Sequence, residues 1–177
     1  GFGGSCFPKD TKALVKIAED NNSSVKIVET VIEVNEQQKE RMIKKIFNAL
    51  GENQKNKTVA VLGLTFKPET DDMRDAPSLT ILPKLVEKGI KINAHDPQGM
   101  DEAKQLLPSE INYFNDIYMT FDNTDAVILM TEWNVYRNLD MALVKDKLKT
   151  PIFIDLRNVY EPITMKTLGF KYHSVGR

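Results

Sequence analysis

Over the first fifty positions the apolar residues recur at helical spacing, and beyond them they gather into short unbroken runs. Val28, Val31, Ile32, Met42, Ile43, Ile46, Phe47 and Leu50 keep the period of one helix face. The polar cluster Asp20-Asn21-Asn22-Ser23 predicts a break, with Ser24 as the cap of a second helix and Gly51 as its stop. Between the apolar positions, Glu36-Gln37-Gln38-Lys39-Glu40-Arg41 reads as polar all round. Such a helix spans about 40 Å at its usual rise. That is more than one small domain covers, so it reads either as a solvated connector or as a surface between domains or subunits.

From Lys57 onward the runs predict strands over 59–64, 90–94, 111–114 (weak), 126–130, 152–155 and 170–173. Helices are expected over 77–87, 101–107, 117–121 and 139–148. Strand–helix alternation at this spacing implies an α/β fold, a doubly wound and mostly parallel Rossmann-like sheet with helices on both faces. The division expected is a helical region over 1–55 and a sheet domain over 56–177. With strand order 3-2-1-4-5-6, a ligand sits at the carboxyl ends of the first and fourth strands. The loops to inspect are then 65–75, 131–134 and 156–158.

Composition narrows the class. With 41% hydrophobic and 28% charged residues the chain can bury a real core. A net charge of −1 gives no general attraction to nucleic acid or to an anionic membrane. No apolar run reaches the roughly 20 residues that span a bilayer. His95 and His173 stand apart, and no Cys/His group has metal-ligand spacing, so no metal is expected. One unpaired Cys suits a reducing compartment such as the cytoplasm.

That Cys is the first candidate for chemistry. It lies in Gly1-Phe2-Gly3-Gly4-Ser5-Cys6-Phe7-Pro8-Lys9-Asp10, where glycines let backbone approach a ligand. Lys9 and a helix beginning near Asp10 would favour a thiolate. By residue type alone Cys6 is equally a small buried hydrophobe, and Asp10 an N-cap. In the first loop Phe66 can pack on a ring, and Lys67 and Arg74 can meet phosphate, although a charged loop is also an ordinary solvated one. Arg157, in the third, is placed to converge with Lys67 on one anion. After the first strand there is Gly63 but no G-x-G-x-x-G, which argues against dinucleotide binding by this sheet. Asp96, followed by Pro97, reads as a turn.

The motifs Gly1 to Asp10, Val34-Asn35-Glu36-Gln37-Gln38-Lys39, Gly63-Leu64-Thr65-Phe66-Lys67-Pro68, Asp71-Asp72-Met73-Arg74 and Asp155-Leu156-Arg157-Asn158 together resemble the UDP-glucose 6-dehydrogenases, in order along the chain. The resemblance implies an N-terminal NAD-binding domain outside this chain, a central helical dimerisation region and a C-terminal UDP-binding domain. It implies oxidation of UDP-glucose to UDP-glucuronate with two NAD, through a thiohemiacetal and a thioester on Cys6, with Asp10 assisting proton transfer. By the same resemblance Gly3 and Phe7 line the sugar pocket, and Phe66, Lys67 and Arg157 bind substrate. Lys9 and Arg74 approach NAD, and the long helix forms a homodimer. The chain opens inside the Cys motif, so it is expected to be a fragment, inactive alone. Dehydrogenation of GDP-mannose or a UDP-N-acetyl-hexosamine is the alternative chemistry, and a non-catalytic nucleotide-sugar-binding or dimerisation module the alternative class.

Overall fold

The apolar runs become strands because the central ones, over 59–62, 126–129 and 152–155, are covered on both faces. In the computed structural model, which describes residues 1–177, six strands form one sheet: β1 (Thr58–Leu62), β2 (Lys91–His95), β3 (Asn112–Tyr113), β4 (Ala126–Leu129), β5 (Ile152–Asp155) and β6 (Lys171–Ser174). Their order is β3-β2-β1-β4-β5-β6, and every pairing is parallel. The expected strand order therefore holds. Val59, Val61, Ile128 and Ile154 point into one core, and Ala60, Leu62, Val127, Leu129 and Phe153 into the other. A sheet buried on both faces needs continuous apolar strands rather than alternation, which is the pattern the sequence carries.

Eight helices surround it: α1 (Cys6–Asp20), α2 (Lys26–Leu50), α3 (Ser78–Glu87), α4 (Met100–Leu106), α5 (Ile117–Thr120), α6 (Asn134–Arg137), α7 (Met141–Lys147) and α8 (Pro162–Thr167). The helix expected over 139–148 is α7, which Asp140 caps by accepting from Ala142 N and Leu143 N; the short α6 before it was not expected. α8 carries no long apolar period and was not anticipated.

The predicted break between the first two helices is a left-handed cap. Asn22 takes φ 52°, Ser23 N donates to Ala18 O at 2.8 Å, and Asn22 N to Glu19 O at 3.0 Å. Ser24 is not the cap of α2. Val25 holds that position, and the Glu29 carboxylate reaches back to accept from Val25 N at 3.0 Å. Gly51 closes the helix with φ 82°. α2 has 25 residues, hence a length of about 38 Å. Its second half lies on the sheet through Met42, Ile43, Ile46 and Leu50, each buried aliphatic contributing about 1.5–3 kcal/mol. The first half exposes Ile27, Val31 and Val34. The stretch 36–41 is not polar all round in its setting, because Lys39 is 5% exposed.

His95 ends β2 inside the second core. The Tyr136 hydroxyl donates to His95 O at 2.8 Å, so its oxygen accepts from Nδ1 of the ring at 2.9 Å. Burial lowers the His95 pKa below the usual imidazole value, against the pull of Asp96 and Asp116. The unfolded chain then binds the proton first, so this contribution is complete above about pH 6.5 and lost as pH falls. The urea midpoint is expected to drop between about pH 7.5 and 5, and less so in His95→Gln. A midpoint that rose on acidification would contradict a buried neutral imidazole.

Candidate active site

Cys6 is the first residue of α1, with Ser5 at the cap position. The helix thus begins four residues earlier than Asp10, and Asp10 is no cap. The positive end of the helix lies at the thiol itself, where the first N–H groups have no intrahelical acceptor. Pro8 fits in this first turn because an N–H there has no intrahelical acceptor. Lys9 and Asp10 follow Cys6 by three and four positions, so all three share one face. The thiol is exposed, 3.6 Å from Ser5 Oγ, and Lys9 Nζ lies 3.5 Å from Asp10 Oδ1. Phe7, also exposed, meets Phe2 edge-on with ring centroids 4.7 Å apart.

The glycines before Cys6 let the β1–α3 loop close down on this segment. Gly4 has φ 87°, and a Cβ there would lie 2.7 Å from the Phe66 ring. A Cβ on Gly3 would lie 2.5 Å from Asp75 O. Gly4 N donates to Arg74 O at 2.7 Å, fastening the two segments. Lys67 Nζ stands over the Phe66 ring, 5.3 Å from its centroid, and enters no ion pair. Arg74 is held by Asp72 through Nε at 2.8 Å and Nη2 at 2.8 Å. That fork holds the Asp72 pKa below the usual carboxylate value.

Two buried carboxylates build the floor. Asp96 Oδ2 accepts from Leu64 N (2.7 Å), Thr65 N (3.2 Å), Thr65 Oγ1 (3.2 Å) and Trp133 Nε1 (3.3 Å). Its Oδ1 accepts from Gln98 N (3.0 Å) and Gly99 N (2.8 Å). It is therefore more than the turn residue expected: it ties three loops at the carboxyl ends of β1, β2 and β4. Asp155 does the same for the loop after β5, accepting from Arg157 N, Val159 N, Tyr160 N and the Tyr172 hydroxyl. Arg157 projects from that loop and forks onto Glu132 of the β4 loop, with Nε to Oε2 at 2.6 Å and Nη2 to Oε1 at 2.7 Å. Burial pushes the Glu132 pKa up and the Arg157 fork outweighs it, leaving a net lowering. Lys67 thus rests on Phe66 and Arg157 on Glu132, each cation with a neighbour of its own.

A cofactor or metal can be weighed against these groups. No group of three or more His, Cys, Asp or Glu side chains could hold a metal ion, and no helix is long and apolar enough to cross a membrane. At the end of β1, Gly63 N donates to His95 O, and Leu64 N and Thr65 N to Asp96. These amides cannot also cradle a pyrophosphate. Lys9 and Arg74 keep their charged heads in solvent, and Cys6 and Asp71 act on the Arg74 guanidinium after Asp72 does.

Two side chains were missed in the sequence. Asn35 and Lys39 are buried, and their spacing continues the stripe Met42, Ile46, Leu50 along α2. The helical period was the signal, obscured by their polarity.

A family model described as the UDP-glucose/GDP-mannose dehydrogenase family, UDP binding domain, matches residues 60–162, and that of the central domain of the same family matches residues 1–37. The UDP-glucose 6-dehydrogenase of Rhizobium meliloti is 44% identical over 177 residues, covering 100% of this chain and 40% of that protein. UDP-glucose 6-dehydrogenase TuaD of Bacillus subtilis is 42% identical over 100% of this chain and 38% of its own length. The chain therefore spans about two-fifths of these relatives. Among solved structures, a UDP-glucose dehydrogenase from Pyrobaculum islandicum superposes with a TM-score of 0.82 at 33% identity, over 98% of this chain and 37% of that one. The NDP-N-acetyl-D-galactosaminuronic acid dehydrogenase of Methanosarcina mazei gives 0.87 at 26%, over 100% of this chain and 38% of that one.

Proposed function

This chain belongs to the UDP-glucose/GDP-mannose dehydrogenase family, and from that premise we propose that it is the nucleophile-bearing and UDP-binding part of an NAD-dependent UDP-glucose 6-dehydrogenase. Residues 1–55 serve as the Cys loop and helical dimerisation region, and 56–177 as the UDP-sugar domain. The observation that carries the reading is an exposed Cys6 at the first position of α1, sharing a face with Lys9 and Asp10 and fastened to the loop that bears Lys67.

NAD supplies the acceptor for the two hydrides removed from the sugar's primary alcohol. Lys9 and Arg74 are the residues of this chain that meet it. Cys6 captures the aldehyde: the sulfur–carbon bond forms, the carbonyl oxygen takes a proton, and the thiohemiacetal carbon again bears a removable hydrogen. Cys6 later holds the acyl group as a thioester. Water adds to that carbon, Asp10 accepts the water's proton, and the sulfur leaves with the bonding pair. Gly3 and Phe7 line the sugar pocket, while Phe66, Lys67 and Arg157 take the UDP portion. The unpaired exposed thiol supports a reducing compartment, the cytoplasm.

The test is NAD reduction by the enzyme complete with its NAD-binding domain, given UDP-glucose, GDP-mannose and UDP-N-acetyl-hexosamines in parallel. Preference for one of the latter two would replace the assignment, and the present chain alone is expected to show no turnover. Lys67→Ala is expected to weaken UDP-glucose binding on the order of tenfold, since one charge-assisted contact contributes about 1.5 kcal/mol. Unchanged calorimetric affinity would remove Lys67 from the site. The exposed Ile27, Val31 and Val34 support pairing of α2 with a second copy, so sedimentation at micromolar concentration is expected to show dimers. A monomer would refute the pairing.

A further inference from the structure

We propose that Asn35 is a positioning residue for this reaction: its carboxamide, reaching from α2, fixes the backbone that delivers Cys6. The inference rests on the assignment of Cys6 as nucleophile.

The segment 1–5 belongs to no helix or strand, so its backbone groups must find partners elsewhere. Asn35 meets Phe2 twice, accepting from Phe2 N on Oδ1 at 2.8 Å and donating from Nδ2 to Phe2 O at 3.1 Å. One side chain thereby takes the place of a neighbouring strand. The approach is close enough that a Cβ on Gly1 would fall 2.2 Å from Asn35 Oδ1. Asn35 is 8% exposed, on a helix whose far half is locked into the core through Met42, Ile46 and Leu50. Its position is therefore fixed by the sheet domain. Phe2 passes that position on in two ways: through the chain to Cys6, and through its ring to Phe7. The Gly4–Arg74 bond holds the same segment from the opposite side. With Asn35 removed, Phe2 N and O lose their partners and the segment pivots on Gly4. Displacements of about 1 Å in a reacting group can cost a hundredfold in rate.

The experiment compares Asn35→Leu and Asn35→Asp with the parent in the complete enzyme. Asp keeps the acceptor for Phe2 N but turns a carboxylate oxygen toward Phe2 O, so both variants break the clamp. The expected result is a fall in kcat of about 10- to 100-fold, with KM for UDP-glucose changed less than about threefold. The rate of Cys6 alkylation by iodoacetamide should change by at least about threefold, in a protein still folded by circular dichroism. If the leucine variant does not fold, the aspartate variant carries the same comparison. Alkylation and kcat both within about twofold of the parent would overturn the proposal, as would a kcat loss that merely tracks the unfolded fraction. Cys6→Ser is assayed alongside. Were it to retain turnover, the nucleophile assignment would fall, while alkylation of native Cys6 would still report on Asn35.

Discussion

Cys6→Ser in the complete enzyme is expected to lower UDP-glucuronate formation by at least about a thousandfold, which is about 4 kcal/mol of transition-state stabilisation. The hydroxyl occupies nearly the same space, but it is a much weaker nucleophile than the sulfur it replaces. Its ester, if formed, also releases less readily than a thioester. The fold should not respond. The thiol is exposed, and Ser5 Oγ, 3.6 Å away, is its one hydrogen-bonding neighbour. Affinity for UDP-glucose should stay near that of the parent, since Lys67, Phe66 and Arg157 are untouched. Carboxylate formation within about tenfold of the parent would show that the chemistry passes elsewhere.

Asp96→Ala is expected to destabilise the sheet domain by about 3–5 kcal/mol, measured by urea denaturation. The carboxylate accepts from six donors, among them three backbone amides and an indole N–H that water does not reach. Removing it leaves those donors buried without acceptors. Against a total stability of about 5–15 kcal/mol this is about a fifth or more. Asn is a graded control. An amide oxygen can serve the four donors now on Oδ2, but its NH2 then faces Gln98 N and Gly99 N, so a loss of about 2 kcal/mol is expected. An Asp96→Ala loss under about 1 kcal/mol would mean the three loops hold each other without the carboxylate.

Asp96 also marks where sequence reading gives out. The strands were legible because the central buried runs are continuous; strand–helix alternation implied a parallel sheet, and the order adopted for it, the common one of doubly wound folds, is the order found. The loops after β1, β4 and β5 lie together at one edge of the sheet as expected, since strand ends in a parallel sheet face one side. The polar residues that turn inward were harder. Asp96 precedes a proline and looks like a turn, while its six donors are scattered over three loops that only the fold brings together. Lys39 lay in the stretch 36–41, whose composition suggested a solvated face, and Asn35 just before it, although their spacing matched the buried stripe. Asp10 was misplaced at a helix start because an aspartate ahead of Thr11-Lys12-Ala13-Leu14-Val15 looks like an N-cap, whereas the helix already begins at Cys6 and runs through Pro8. In the first turn, where N–H groups lack acceptors, a proline does not interrupt it.

The bond from Gly4 to Arg74 closes a loop of some seventy residues, and the entropy of such a closure is about 4 kcal/mol from its length alone. Nothing within residues 1–5 can offset that. It is met only when β1 and α3 have formed and set the intervening loop in place. Cys6 therefore has no address of its own near the start of this chain: its coordinates are written in α2 and seventy residues downstream, and the thiol becomes a placed one only in a molecule whose sheet is already built.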